Sequence, residues 1–252
     1  MTTRTPILLK KLTRHYWSSR GRGYDKAPGH SGFEHVWARL LKLAMECKAS
    51  TLRQRAIDLG CGTGFLAKIL ASENTHVICL DIAEGMLREA KRKLRRNLNV
   101  DYIQADCEQY IPIRDSSIDI AVSRHVLWTL TTPHIAVAKW LQIIRKGGIL
   151  VIFDGSWHSE RSLLKRLLRS LYVTLRSVLR DKIDPIVAVR YNIIRVVRKI
   201  DNIDLLIDLL KNLPIRYRIR DLSKLRELTR GRYSLCRALL DNMRYYMIII
   251  CR

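Results

Sequence analysis

Ala56-Ile57-Asp58-Leu59-Gly60-Cys61-Gly62-Thr63-Gly64, running on into Phe65-Leu66-Ala67-Lys68-Ile69-Leu70, is the stretch that decides the fold. A short apolar run gives way to three alternate glycines and then to helical spacing, the pattern of a buried strand that turns through a loop into a helix. A Cβ in such a turn would block a ligand approaching the backbone, which is why glycine belongs there. Outward from it, Val77–Leu80, Tyr102–Ile103, Ile118–Val122 and Ile149–Phe153 repeat the strand signal. Phe65–Ser72, Glu84–Leu98 and Pro133–Ile144 carry helical spacing between them. Strands alternating with helices of this length imply βαβ units and a parallel sheet covered on both faces. Arg145-Lys146-Gly147-Gly148 reads as the reversal that ends the last of these helices.

Acidic residues recur where the strands end. Asp81 closes the second strand, placed to accept both hydroxyls of a ribose lying over the first turn. Asp106 ends the third, where it could accept from an exocyclic adenine amine while the Cys107 N–H faces a ring nitrogen. Three strand ends thus converge on one nucleoside. A dinucleotide is the competing ligand, but its G-x-G-x-x-G turn needs a third glycine where this chain has Phe65, so no pyrophosphate seat is formed on the helix.

AIDLGCGTGFLAKIL, HVICLDIAEGMLREAKRK, DYIQADCEQYIP and IDIAVSRHVLWTL…LQIIRKGGILVI, taken in order, resemble the successive motifs of class I S-adenosylmethionine-dependent methyltransferases, in particular the ubiquinone/menaquinone-type and small-molecule group. The resemblance covers about Ala56 to Phe153. It implies an α/β, Rossmann-like fold with a seven-stranded, mostly parallel sheet, helices on both faces and an antiparallel final strand. Ile215–Ile219 and Tyr246–Cys251 would close that sheet. It further implies S-adenosyl-L-methionine as cofactor, with Gly60, Cys61, Gly62 and Gly64 as backbone cradle, Asp81 on the ribose, and Asp106 with Cys107 on the adenine. Asp58 would orient the methionine ammonium, directly or through water, Ile82 and Met86 would pack on the adenine, and Ser123 or Arg124 would border the sulfonium and methyl group. For the apolar positions ordinary core packing is the alternative. Methyl transfer from a sulfonium is an in-line displacement that needs alignment and exclusion of water more than a base. If a proton must leave, His125, just past the fourth strand, is the first candidate to take it; packing or donation to backbone is its other reading. Tyr16, Trp17 and Tyr24-Asp25 are candidate lid residues, and Trp128, His30 and Arg124 candidate acceptor contacts; each also has a structural reading.

The flanks divide the 252 residues into an N-terminal lid and first helix (1–54, with Phe33–Lys48 helical), a cofactor-binding core (55–156), a helical insertion (157–212) and closing strands (213–252), all one domain. No apolar run approaches the ~20 residues a membrane-spanning helix needs, and the N-terminus lacks the order of a secretory signal, so the cytoplasm is the expected location. The six cysteines are too dispersed for a metal site, and reduced thiols with no bound metal are expected.

The charge is less ordinary. Lys and Arg number 46 against 23 Asp and Glu, a net charge of +23 that attracts polyanions. From Trp157 to Arg252 there are 22 basic residues against 9 acidic ones, a balance of +13. Over Glu160–Asp181, Leu163, Leu164, Leu167, Leu168, Leu171, Leu175 and Val178 share one helical face while Arg161, Lys165, Arg169, Arg176 and Arg180 gather on another. The expected arrangement is a crossover helix with its leucines buried on the domain; contact with an anionic membrane surface or with RNA are the alternatives. Arg216, Arg218 and Arg220 could extend such a surface. The fourth strand is followed by Ser123-Arg124-His125-Val126 instead of the Asn/Asp-Pro-Pro-aromatic turn of base-amine methyltransferases. A small-molecule acceptor is therefore expected, with no obligate protein partner. An RNA or ribonucleoprotein methyltransferase and a non-catalytic S-adenosylmethionine-binding interaction protein are the alternatives.

Overall fold

The computed structural model describes residues 4–26, 32–46, 54–71, 75–97, 99–156, 163–198, 202–212, 214–225 and 244–252. In chain order the described elements are α1 (Arg4–Tyr24), α2 (Glu34–Met45), β1 (Gln54–Leu59), α3 (Phe65–Leu70), β2 (Thr75–Asp81), α4 (Glu84–Lys93), β3 (Val100–Gln104) and β4 (Ile118–Arg124). A 3-10 turn at Leu127–Thr129 leads to α5 (Pro133–Ile143), β5 (Ile144–Gly155), α6 (Leu163–Leu179), α7 (Pro185–Arg198), α8 (Asn202–Lys211), β6 (Arg216–Asp221) and β7 (Tyr245–Cys251).

The strands form one seven-stranded sheet of order β3-β2-β1-β4-β5-β7-β6. The first five pair in parallel, and β7 runs antiparallel to both β5 and β6. Period-two alternation divides the central side chains between two cores. Ala56, Ile120, Ile149, Val151, Phe153, Met247 and Ile249 pack on one face with residues of α2 and α3. Ile57, Ala121, Leu150, Ile152, Ile248 and Ile250 pack on the other with residues of α5 and α8. Both faces being covered explains why the strands read as unbroken apolar runs. At the β6 edge, Arg216, Arg218 and Arg220 are exposed while Tyr217 and Ile219 pack inward, and charge of this kind blunts an edge against further pairing.

Two local readings differ from expectation. Arg145–Gly148 lies inside β5, which begins directly after α5 and shifts register against β4 between Ile118 and Ile120. Gly147 has φ +78°, and a Cβ on Gly148 would stand 2.8 Å from the Asp119 carbonyl oxygen. The glycines thus serve a bulge within the strand rather than a turn before it. The N-terminal segment before Phe33, where no helix was expected, carries the long helix α1, with Leu9, Thr13, Tyr16 and Arg20 buried at helical spacing. It crosses α4 at backbone contact: a Cβ on Gly85 would fall 1.9 Å from the Ser18 carbonyl oxygen, and one on Gly21 would fall 2.4 Å from that of Gly85.

Candidate functional site

The sheet order reverses direction between β1 and β4, and in open α/β sheets the crevice beyond the carboxyl ends of such strands is where ligands bind. A cleft enclosing about 640 Å³, its open mouth included, lies there. Gly60 and Gly62 form one side; Asp81, Ile82, Met86, Asp106 and Cys107 line it from the next two strand ends, and Arg124 and His125 from β4. Trp17 and Tyr24 of α1 reach it from above, together with Lys10 and Thr13.

The turn after β1 is set by geometry that glycine permits. Gly60, Gly62 and Gly64 have φ of +69°, +53° and +78°, a region in which a side chain is strained. A Cβ on Gly60 would meet Val126 Cγ2 at 2.4 Å, whereas one on Gly62 would point into the cleft with Met86 Sδ, 4.0 Å away, as its nearest neighbour. Cys61 Sγ faces the Gly62 carbonyl at 3.5 Å and is buried beside Cys79, away from the cleft; burial raises its pKa well above the usual thiol value. Burial likewise raises the Cys107 thiol, so neither thiol is a nucleophile near neutral pH.

Asp81 is held in place by two backbone donors: Gly62 N–H donates to Oδ2 and Ala83 N–H to Oδ1, both at 2.8 Å. Desolvation nevertheless raises its pKa to about 6. Asp58 is more deeply set. Its Oδ2 accepts from Ala67 N–H at 3.0 Å, within the first turn of α3, and burial raises it to about 7. It does not line the cleft, and neither do Gly64, Cys61 or Ser123, whose Oγ donates to the Leu59 carbonyl at 3.0 Å. The Arg124 guanidinium sits over the rings of Phe65 and Trp37, at 4.1 and 4.8 Å from their centroids.

α1 supplies the roof and several contacts that sequence reasoning missed. Lys10 Nζ pairs with Asp106 Oδ1 at 2.9 Å and with Glu108 Oε2. Glu108 Oε1 in turn accepts from the backbone N–H and hydroxyl of both Thr131 and Thr132. Farther along, Asp25 accepts from Thr63 Oγ1 and from Lys93 Nζ, each at 2.6 Å, fastening the end of α1 to the glycine turn and to α4. Tyr16 turns away from the cleft, stacks on Tyr191 at 4.1 Å and shares a hydrogen bond with Ser177 Oγ at 2.8 Å. Trp17 donates to Tyr191 Oη at 3.1 Å and meets Trp128 edge-on at 5.9 Å, which puts Trp128 behind the cleft wall. His30 lies outside the described residues.

His125 lines the cleft floor next to Val126, Thr129 and Leu130. It is a non-glycine residue at φ +61°, its Nε2 2.9 Å from the Tyr245 hydroxyl. Such strain persists where surrounding contacts over-determine it; here the His125 N–H to Phe153 bond and the Tyr245 contact do so.

Residues 57–152, which hold this whole turn and the four strand ends, match the family model described as a methyltransferase domain. Over that stretch the chain is similar to a methyltransferase domain. It is 32% identical over 131 residues to the ubiquinone/menaquinone biosynthesis C-methyltransferase UbiE of Vibrio campbellii, an alignment covering 50% of this chain and 49% of that protein. The chain thus spans about half the length of the curated relatives it matches. Among solved structures, the geranyl diphosphate C-methyltransferase of Streptomyces coelicolor A3(2) superposes with a TM-score of 0.62 at 13% identity, covering 97% of this chain and 98% of that one. The [4+2]-cyclase SpnF superposes at 0.57 with 16% identity, over 99% of this chain and 94% of that one. The methyltransferase fold therefore extends beyond the matched domain through α6–α8 and the closing strands, and one of its neighbours is named for a different reaction.

Proposed function

We propose that the chain transfers a methyl group from S-adenosylmethionine to a small, partly apolar acceptor. The observation that carries this is the convergence of Gly60 and Gly62, Asp81, and Asp106 with Cys107 on one cleft. The residues fit the cofactor. Gly62 leaves open the space its Cβ would fill. Asp81 keeps acceptor capacity beyond its two backbone bonds, because an ionised carboxylate offers about four lone-pair sites, enough for two ribose hydroxyls. Asp106 has Oδ1 engaged by Lys10 and by the Glu108 N–H, and Oδ2 is the oxygen through which it would take an adenine amine. Asp58, behind the turn, fixes the loop through the Ala67 N–H and reaches the methionine ammonium through water.

The bound cofactor supplies an electrophilic methyl on a sulfonium; the chain's part is alignment and exclusion of water. Trp17, Tyr24, Val126 and Leu130 give the cleft an apolar wall that suits an acceptor with a hydrocarbon part. Where the acceptor loses a proton on methylation, His125 is the group set to take it, oriented by Tyr245. A His125→Ala chain with unchanged turnover would remove that role and leave the transfer itself.

The test is incubation with methyl-labelled S-adenosylmethionine and a cell extract divided into small-molecule, lipid, RNA and protein fractions. Label in the small-molecule or lipid fraction, lost in Asp81→Asn, is the expected result. Label confined to RNA or protein, or to none, contradicts it.

A further inference from the structure

The helix α6 is built inside out. Surface helices bury the apolar stripe and expose the polar one, and the expectation above placed the α6 leucines on the domain. Instead Leu164, Leu167, Leu168, Leu171, Leu175 and Leu179 are all exposed, from 49% to 66%. Of the described residues on the expected apolar face only Val178 packs on the domain, against the cluster of Tyr16, Ile183, Ala188 and Tyr191, and the rest of the inward contact is polar. Ser177, 1% exposed, bonds Tyr16 of α1, and Thr174 Oγ1 accepts from Asn192 Nδ2 of α7 at 2.9 Å. At about 3.6 residues per turn the leucines form one continuous stripe; Lys165 and Arg169 border it, Arg176 is half-buried, and Arg180 Nη2 donates to the Lys26 carbonyl at 2.6 Å. α7, packed against α6, also leaves Ile186, Val189 and Ile193 exposed.

We infer that α6 lies on an anionic lipid surface, its leucines in the acyl boundary and its basic edge at the headgroups. A solvent-facing apolar stripe of this length marks an interaction site. Lys165 and Arg169 beside it, on a chain of net charge +23, select a negatively charged partner, and long basic side chains bordering an apolar face are suited to a headgroup region. A second copy of this chain is disfavoured by the same charge, since two chains at +23 each would bring their basic edges together. Among the described residues no helix is long and apolar enough to cross a membrane, so the contact is parallel to the surface. This inference stands independently of methyl transfer.

The experiment is co-sedimentation of the full chain with vesicles of phosphatidylcholine alone or mixed with phosphatidylglycerol, at low and physiological salt. It is run beside a Leu168→Gln, Leu171→Gln, Leu175→Gln variant whose melting temperature is measured in parallel. The expected result is binding to anionic vesicles about tenfold or more above neutral ones and a fall of about a hundredfold in the variant, with melting unchanged because those side chains are already exposed. It is overturned by no vesicle binding, by binding that the leucine substitutions leave intact, or by a stable dimer in sedimentation that the substitutions dissolve. Retention on RNA that is equal in both chains, without vesicle binding, overturns it too.

Discussion

Replacing Glu108 by Gln keeps the shape of a side chain that is 1% exposed and removes the charge around which Lys10, Thr131 and Thr132 are arranged. Burial alone would raise the Glu108 pKa, but the bonds from Lys10 and the two threonines outweigh it and hold the carboxyl down at about 2. Against its ordinary 4.5, that depression corresponds to about 3 kcal/mol of folding stability. Because the folded pKa is the lower one, the contribution is complete above about pH 4.5 and is lost as pH falls through about 2. Gln forfeits most of it and leaves Lys10 with Asp106 as its remaining partner in this cluster. For a chain of this size a loss of about 2–3 kcal/mol lowers the melting temperature by roughly 5–10 °C. Calorimetric scans of the two chains from pH 7 downward should show that gap at neutral pH and its closure as the wild type approaches pH 2–3. A constant gap across the whole range, or none at pH 7, would refute the account of how the roof is fastened.

The remaining predictions concern the cleft and its lid. Gly62→Ala should cost the fold about 1–2 kcal/mol for its left-handed φ but weaken S-adenosylhomocysteine binding by at least about thirtyfold, because the new methyl enters the cleft; melting and calorimetry together separate the two effects. Gly85→Ala puts a methyl where the Ser18 carbonyl oxygen stands, so α1 should lift from α4. Limited proteolysis within residues 4–26, with the far-ultraviolet signal of the sheet retained, is the readout, and an uncut α1 would count against the close crossing. Since the Asp81 carboxyl is raised to about 6 by burial and the proposed ribose contact needs its ionised form, affinity for S-adenosylhomocysteine should fall by up to about tenfold per unit as pH drops below that value. The slope should flatten in Asp81→Asn; an equal slope in both chains contradicts the role.

Much of the fold was legible because its signals are local. The buried strands β1, β2 and β4 are apolar enough to declare themselves, and the alternate glycines announce the turn at Gly60–Gly64. Asp81 and Asp106 stand at strand ends by count of residues alone. α1 escaped notice because Arg and Gly dilute its pattern, although Leu9, Thr13, Tyr16 and Arg20 share one face and could have revealed it. With α1 went Lys10 and Thr13, whose place over the cleft depends on the crossing at Gly85. Asp58 looks like a ligand contact in sequence, and the structure places it behind the turn with Oδ2 accepting from the Ala67 N–H and outside the cleft lining. The leucines of α6 illustrate the converse limit: periodicity finds an apolar face but not what it faces, and here Ser177, Thr174 and Val178 took the inward position.

The central claim is that the rim formed by Gly62, Asp81 and Asp106 grips an adenosyl group. Isothermal titration of the full chain with S-adenosylhomocysteine tests it most directly. The account predicts saturable one-to-one binding that is strongly weakened in both Gly62→Ala and Asp81→Asn. Absence of heat with S-adenosylhomocysteine and with S-adenosylmethionine alike, or equal affinity in all three chains, would contradict it.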